Sequence, residues 1–138
     1  MNKLPRIIGT ALLAALPFVV SSPVQAASIE CDVPFSFQIS DRTLPPGVYR
    51  VTAEHGSLFV RGLRRGAVTM TSSVASAQAT QPKLVFHKYG DEYILHEVWT
   101  GGTSGQELRQ SRRERQLGEA TRRGQKAADF ERVVVPAL

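Results

Sequence analysis

Two histidines and a glutamate lie close together in a segment with the pattern of a β-hairpin. Residues 83–99 (KLVFHKYGDEYILHEVW) contain two strand-like runs joined by a Gly-Asp turn. If the turn has two residues, His87, Glu92 and His96 share one face of the hairpin. Two imidazoles and a carboxylate suit a divalent metal with open positions for water or substrate. The spacing therefore indicates a candidate metal site.

The register of this hairpin decides which side chains meet. A two-residue turn pairs Phe86 with Leu95, Val85 with His96 and Leu84 with Glu97. One face then carries Leu84, Phe86, Tyr93, Leu95 and Trp99, which we assign to the core. The other face carries Val85, His87, Tyr89, Glu92, Ile94, His96 and Val98. The simpler alternative to a metal site is a solvent-exposed face on which polar and apolar residues merely alternate.

A second group of candidate residues is basic. Arg109, Arg112, Arg113 and Arg115 follow one another closely, and a guanidinium donates two parallel hydrogen bonds to a phosphate or carboxylate. This cluster predicts an anion-binding surface. The alternative is a solvated helix face, because acidic residues are interleaved with the arginines at helical spacing.

No catalytic motif frames the other reactive residues. The sequence lacks a Gly-x-Ser-x-Gly elbow, a His-Glu-x-x-His helix and a phosphate-binding glycine loop. We therefore predict a non-catalytic binding or structural module without a cofactor. A metal-dependent hydrolase using His87, Glu92 and His96 is the alternative.

The N-terminus predicts export. Two basic residues precede an apolar run at residues 7–20, and the small residue Ala26 marks a signal-peptidase site. This run is too short to span a bilayer comfortably, so residues 1–26 are predicted to be a cleaved signal peptide. We expect the protein in the periplasm or outside the cell, with no transmembrane segment after cleavage. Cys31 is the single cysteine, which excludes an internal disulfide and favours a buried, inert thiol; the alternative is a disulfide that joins two chains.

From residue 27 onward the pattern is that of short strands. Apolar residues alternate over residues 33–39, strand-like runs follow at 48–54 and 57–61, and β-branched residues are frequent in 67–74. Residues 76–82 and 101–105 are small and polar, and we expect loops there. With the hairpin, this makes six short strands at close spacing. They predict a mainly β domain over residues 27–104, built as a small antiparallel β-sandwich or open barrel.

After residue 104 the pattern favours a helix. Two Ser-x-x-Glu pairs, beginning at Ser104 and Ser111, have the spacing of a capping box and predict one helix within residues 106–128. Its apolar stripe is thin, and glycines interrupt it at a cost of about 1 kcal/mol each relative to alanine. Residues 105–138 are therefore predicted to form a basic helical tail that frays at its distal end.

The net charge of +5 is unevenly distributed. Residues 27–104 carry seven basic and seven acidic side chains, whereas residues 105–138 carry eight basic and five acidic ones. The basic surplus of the mature chain therefore lies in the tail. Together with export, this argues against nucleic acid. We expect a protein or carbohydrate partner in the cell envelope, with an anionic surface contact through the tail.

Several segments resemble a family of short exported proteins from acidobacterial-type soil bacteria. The similar segments are 33–37 (VPFSF), 44–49 (LPPGVY), 83–91 (KLVFHKYGD), and 107–108 (EL) with 111–115 (SRRER). The resemblance covers about residues 29–117 and implies export and the same kind of fold. It implies no catalytic residues, because the family has no established activity.

Overall fold

The computed structural model describes residues 26–123 and 130–138 of the 138-residue chain. The predicted signal peptide lies outside the described residues except for Ala26, and so do residues 124–129 of the predicted tail. Of the helices in the part of the chain that the structure describes, none has the length and apolar character needed to cross a membrane.

The described chain is mainly β with one C-terminal helix, which confirms the coarse prediction of fold class. Its elements are β1 (Ala27–Val33), β2 (Phe37–Ile39), β3 (Arg42–Leu44), β4 (Gly47–Glu54), β5 (Ser57–Arg61), β6 (Gly66–Thr80), β7 (Lys83–Tyr89), β8 (Glu92–Trp99), β9 (Gly102–Leu108), α1 (Arg112–Arg123) and β10 (Glu131–Pro136).

The strands form one open sheet. Hydrogen-bonded neighbours follow the order β1-β4-β5-β6-β9-β8-β2-β3, β7 pairs with the other edge of β8, and β10 pairs with β7. The pairing is antiparallel except between β2 and β8, where Phe37 lies beside Tyr93 in a parallel register. The prediction of a wholly antiparallel sheet is therefore wrong at this one contact. It arises because β8 pairs with β2 along its first half and with β9 along its last residues.

The first predicted strand is divided into two. The alternating run 33–39 was expected to form one strand, but β1 ends at Val33 and β2 begins at Phe37. Pro34 lies at the break, and it has no N–H to donate to a neighbouring strand. The β1 strand, which pairs along its whole length with β4, was not predicted.

Strand β6 is longer than its sequence pattern indicates. It runs for 15 residues, through most of the segment 76–82 that was expected to be a loop. Its first residues pair with β5 and the rest with β9, with an irregularity between Ala75 and Thr80. Pairing of Ala75 and Thr80 with β9 fixes both ends of this segment, although small polar residues do not favour an extended conformation by themselves.

Strand β9 replaces both a predicted connector and the predicted start of the helix. The glycine-rich segment 101–105 lies mostly within β9, and Gly105 pairs with Trp99 of β8. A Cβ atom on Gly105 would lie 2.7 Å from the indole ring, so this position needs glycine for close packing. The predicted domain boundary at residue 104 falls inside this strand.

The helix begins at Ser111, the second of the two predicted caps. The backbone N–H of Glu114 donates to Ser111 Oγ at 3.1 Å, which is the contact of an N-cap. The helix predicted within residues 106–128 is thus confirmed from Arg112 to Arg123, whereas the cap at Ser104 is wrong. After the helix the chain returns to the sheet as β10, so the C-terminal segment is bound to the domain by strand pairing.

Side chains from both ends of the sheet share one buried cluster. It includes Ile29, Cys31 and Val33 of β1, Val51 of β4, Leu58 and Val60 of β5, Leu84 and Phe86 of β7, Leu95 and Val98 of β8, and Val135 of β10. Cys31 is fully buried, and burial raises the pKa of its thiol to about 11. The thiol is therefore protonated at neutral pH and packs as an apolar side chain.

Candidate functional site

The hairpin of β7 and β8 has the predicted turn but not the predicted register throughout. Phe86 pairs with Leu95 as expected, but Val85 pairs with Glu97. The extra residue in β8 is His96, which forms a β-bulge. The bulge reverses the alternation beyond it. Val98 therefore lies in the core cluster, where the regular register would have put Trp99.

The face that carries His87 is covered rather than exposed to solvent. Val85 and Ile94 on this face are buried, and the first turn of α1 contacts it. Glu114, only 2% exposed, has its carboxylate Oε1 3.2 Å from Nδ1 of His87. The hydroxyl of Tyr89 donates to the same oxygen at 3.2 Å. The alternative of a solvated strand face is therefore wrong for this part of the hairpin.

Three aromatic rings form a stack at the same place. The His87 ring lies 3.8 Å from the His96 ring, with 26° between their planes. The Phe130 ring lies 3.8 Å from the His87 ring, at 15°. Two near-parallel rings at that distance must occupy opposite faces of His87, so His87 is enclosed between His96 and Phe130.

His96 has two unlike environments for its two ring nitrogens. Nε2 lies 3.4 Å from Oε1 of Glu107 and 3.9 Å from Oε1 of Glu97. Nδ1 is buried and has no hydrogen-bond partner among the described residues. Burial, and secondarily the charge of His87, lowers the pKa of His96, so the neutral form is favoured.

The structure brings His87 and His96 together as predicted, but the carboxylate beside them is Glu114 and not Glu92. Ligand atoms of His87, His96 and Glu114 all lie within 4.8 Å of one another. Glu92 instead accepts hydrogen bonds from the Arg113 guanidinium and from Gln38. The hydrogen bonds from Arg113 are the largest cause that lowers the pKa of Glu92. The Ser111 capping motif had shown that Glu114 begins a helix, but nothing in the local pattern indicated that its side chain would reach β7.

The predicted anion-binding arginines separate into two environments. Arg109, Arg112 and Arg115 line a depression of about 460 Å³ between the start of α1, the β2–β3 turn and β6. Arg113 faces the other way, toward Glu92. Asp41 is the one carboxylate that the described residues contribute to this depression. Three of the four predicted arginines are thus brought together.

Three further arginines continue this basic surface along the β3 edge. Arg42, Arg64 and Arg65 line a second depression of about 430 Å³. Arg64 and Arg65 also border a more apolar groove of about 930 Å³, which includes Pro46, Tyr49 and the 97% exposed Leu63. The first two depressions adjoin along the chain, since Asp41 lines one and Arg42 the other. We call the surface formed by these side chains the arginine face: Arg42, Arg64, Arg65, Arg109, Arg112 and Arg115.

Close backbone packing holds the loop that carries Arg64 and Arg65. Gly62 N–H donates to Arg65 O at 2.8 Å, and a Cβ atom on Gly62 would lie 2.6 Å from the Tyr49 ring. The two arginines were missed as site residues because their segment is neutral overall. The glycines on either side of them were the available signal, because they indicate a backbone that packs closely against its neighbours.

The arginine face differs in ion pairing from three other arginines of the described surface. Arg50, Arg113 and Arg132 each pair with a glutamate. Within the ranges 26–123 and 130–138, no arginine of the arginine face lies within ion-pair distance of a carboxylate. Its six guanidiniums therefore have donors that are not engaged with acidic side chains.

No protein-family model, no curated protein and no solved structure matches this chain. The resemblance to short exported proteins therefore stays a prediction, and function is inferred from the chemistry of the two sites.

Proposed function

We propose that the protein is an exported, non-catalytic binding module of the cell envelope that holds an acidic polysaccharide on its arginine face. The observation that carries the proposal is the gathering of six arginines without carboxylate partners along one edge of the sheet. Three other arginines on the same domain do have such partners. Arg61, Arg122 and Arg123 also have no carboxylate partner among the described residues, so the arginine face is distinguished by the two depressions that its side chains line.

The arrangement suits an extended ligand better than a small one. One depression is lined by β3 itself and the other by Ser40 and Asp41, which directly precede β3, and β3 is an edge strand whose pairing among the described residues is with β2. A chain of carboxylates or sulfates would meet guanidiniums in succession, and each fork can donate two parallel hydrogen bonds. Single contacts of this exposed kind are weak and are screened by salt. Binding would then depend on several simultaneous contacts.

Apolar surface beside the arginines supports a carbohydrate ligand. The groove next to Arg64 and Arg65 is lined by Pro46, Tyr49 and Leu63. Sugar rings have apolar C–H faces as well as polar edges, so a charged sugar chain can use both kinds of surface. Export, which the first 26 residues predict, would place the protein where acidic polysaccharides occur.

We also propose that the open sheet is folded into a small β-sandwich. The shared buried cluster of residues from β1, β4 and β5 with residues from β7, β8 and β10 supports this arrangement. The long strand β6, which pairs with both β5 and β9, would be the connection between the two layers.

Retention on an immobilised sulfated polysaccharide, heparin, tests the proposal. The triple variant Arg64→Gln/Arg65→Gln/Arg112→Gln should elute at clearly lower salt than the wild type. A matched control, Arg61→Gln/Arg122→Gln/Arg123→Gln, removes the same number of exposed positive charges outside the arginine face and should elute close to the wild type. Equal losses in both variants would mean that net charge alone is responsible, which would refute the assignment of the face. Point substitutions are preferable to deleting residues 105–138, because that segment contains the last four residues of β9 and all of β10.

A further inference from the structure

The carboxylate of Glu114 is buried without a lysine or arginine beside it. Its ion-pair partner among the described residues is His87, and its other side-chain contact is the Tyr89 hydroxyl. A carboxylate this far from water is costly unless a cation or a proton accompanies it. A further positive charge beside Glu114 would therefore stabilise its buried carboxylate.

His96 has the tautomer environment of a metal-binding histidine. Its Nε2 faces the carboxylates of Glu107 and Glu97, which favours a proton on Nε2. The lone pair is then on Nδ1, the buried atom without a hydrogen-bond partner among the described residues. A carboxylate behind the imidazole and a free nitrogen in front of it is the usual arrangement of a histidine that binds a metal.

We propose that His87, His96 and Glu114 form a binding site for a divalent transition metal, with zinc as the best fit. Two imidazoles and one carboxylate are a donor set that zinc accepts, and they leave a fourth tetrahedral position open. Magnesium and calcium prefer all-oxygen sites, so two nitrogen ligands argue against them. Such an ion supplies the missing charge beside Glu114 and a partner for the His96 lone pair at the same time.

Binding requires a small rearrangement of the two imidazole rings. Ligand atoms around a tetrahedral zinc at about 2.1 Å lie about 3.4 Å apart. The three candidate atoms lie within 4.8 Å of one another, so they need to close by about 1 Å. The rings are stacked with centroids 3.8 Å apart, and two imidazoles on one zinc have centroids about 5 Å apart. The closure requires rotation of the His96 ring about its side-chain bonds, and the His96 backbone lies in the β-bulge, outside the regular ladder.

The surrounding residues provide both support and access. Tyr89 donates to the Glu114 carboxylate, and Glu107 lies behind His96, so two of the three ligands have an outer partner. Burial, and secondarily Glu114, raises the pKa of Tyr89 to about 12, so the hydroxyl stays a donor. Phe130, which covers the outer face of His87, is 44% exposed, so one aromatic ring separates the site from solvent.

Isothermal titration of tag-free, EDTA-treated protein with zinc tests this site, and Co²⁺ absorption in the visible range reports the coordination. We expect one ion per chain at micromolar or tighter affinity. His96→Gln and Glu114→Gln should each weaken binding by at least tenfold. His55→Gln is the matched control, because the His55 side chain is 90% exposed and lies elsewhere. Glu92→Gln should also leave binding unchanged. If the ligands were instead His87, Glu92 and His96, as predicted from sequence, this variant would bind zinc more weakly.

A substitution next to the three proposed ligands tests the zinc site even if a ligand variant fails to fold. Glu107 is about half exposed, so Glu107→Gln should fold normally and still weaken zinc binding about 10- to 100-fold by releasing His96. Absence of binding to the wild type at micromolar zinc would overturn the proposal. So would an affinity that is unchanged in both His96→Gln and Glu107→Gln, or that falls equally in His55→Gln.

Discussion

Replacement of Glu114 by alanine removes the acceptor that joins α1 to the β7–β8 hairpin. The substitution leaves His87 Nδ1 and the Tyr89 hydroxyl without their contacts at 3.2 Å. A hydrogen bond to a charged group contributes about 1.5–3 kcal/mol, and the substitution removes two such contacts. We therefore expect Glu114→Ala to reduce the free energy of unfolding by about 3–5 kcal/mol, a large part of the stability of a small domain.

Urea unfolding in the presence of EDTA measures this loss without any contribution from metal. Trp99 is the single tryptophan and is buried, so its fluorescence reports unfolding. With a urea dependence of about 2 kcal/mol per molar, the midpoint should fall by about 2 M. Glu119→Ala, on an exposed position of the same helix, should change stability by no more than about 0.5 kcal/mol.

The comparison between these two variants can refute the reasoning. A loss below about 1 kcal/mol for Glu114→Ala would mean that the carboxylate contributes little to holding the helix on the sheet. Equal losses in both variants would point to a general effect on the helix. Glu114→Gln keeps an acceptor and loses only the charge, so its loss should lie between those of wild type and Glu114→Ala.

Three other outcomes follow from local environments. Gly105→Ala should destabilise the protein by about 1–3 kcal/mol, because its Cβ would overlap the Trp99 ring. Gly118→Ala lies in the helix with no atom near its Cβ, so it should stabilise the protein by up to about 1 kcal/mol. Urea midpoints that move in the same direction in both variants would contradict these expectations. Burial lowers the pKa of His96 in the folded state, so the contribution of neutral His96 to the free energy of unfolding should be fully present above the unfolded pKa of about 6.5 and should be lost as pH drops through the lower folded value. His96→Gln should flatten that part of the stability profile, and an unchanged slope in the variant would exclude this cause. The buried thiol of Cys31 should react with a disulfide reagent at pH 8 only after unfolding, and rapid labelling of the native protein would show that this strand opens.

Local patterns were sufficient for individual elements. The Gly-Asp turn set the start of the β7–β8 pairing, strand-like runs between turn residues located β4 and β5, and Ser111 marked the start of α1. Each of these depends on residues a few positions apart, where spacing along the chain determines which side chains are neighbours. For this reason the two histidines were correctly placed together.

The composition of both sites was decided by contacts between distant parts of the chain. Glu114 reaches His87 across 27 positions. Arg64 lines a depression together with residues of β3, and Arg115 lines one together with the two residues that precede β3. The bulge at His96 also follows from pairing, since β8 has to match β7 on one edge and both β2 and β9 on the other. Periodicity along a chain carries no information about such pairings, so the sequence predicted individual elements such as β4, β5 and α1 and two of the three proposed metal ligands. Only the tertiary structure selected Glu114 over Glu92 and assembled the arginine face.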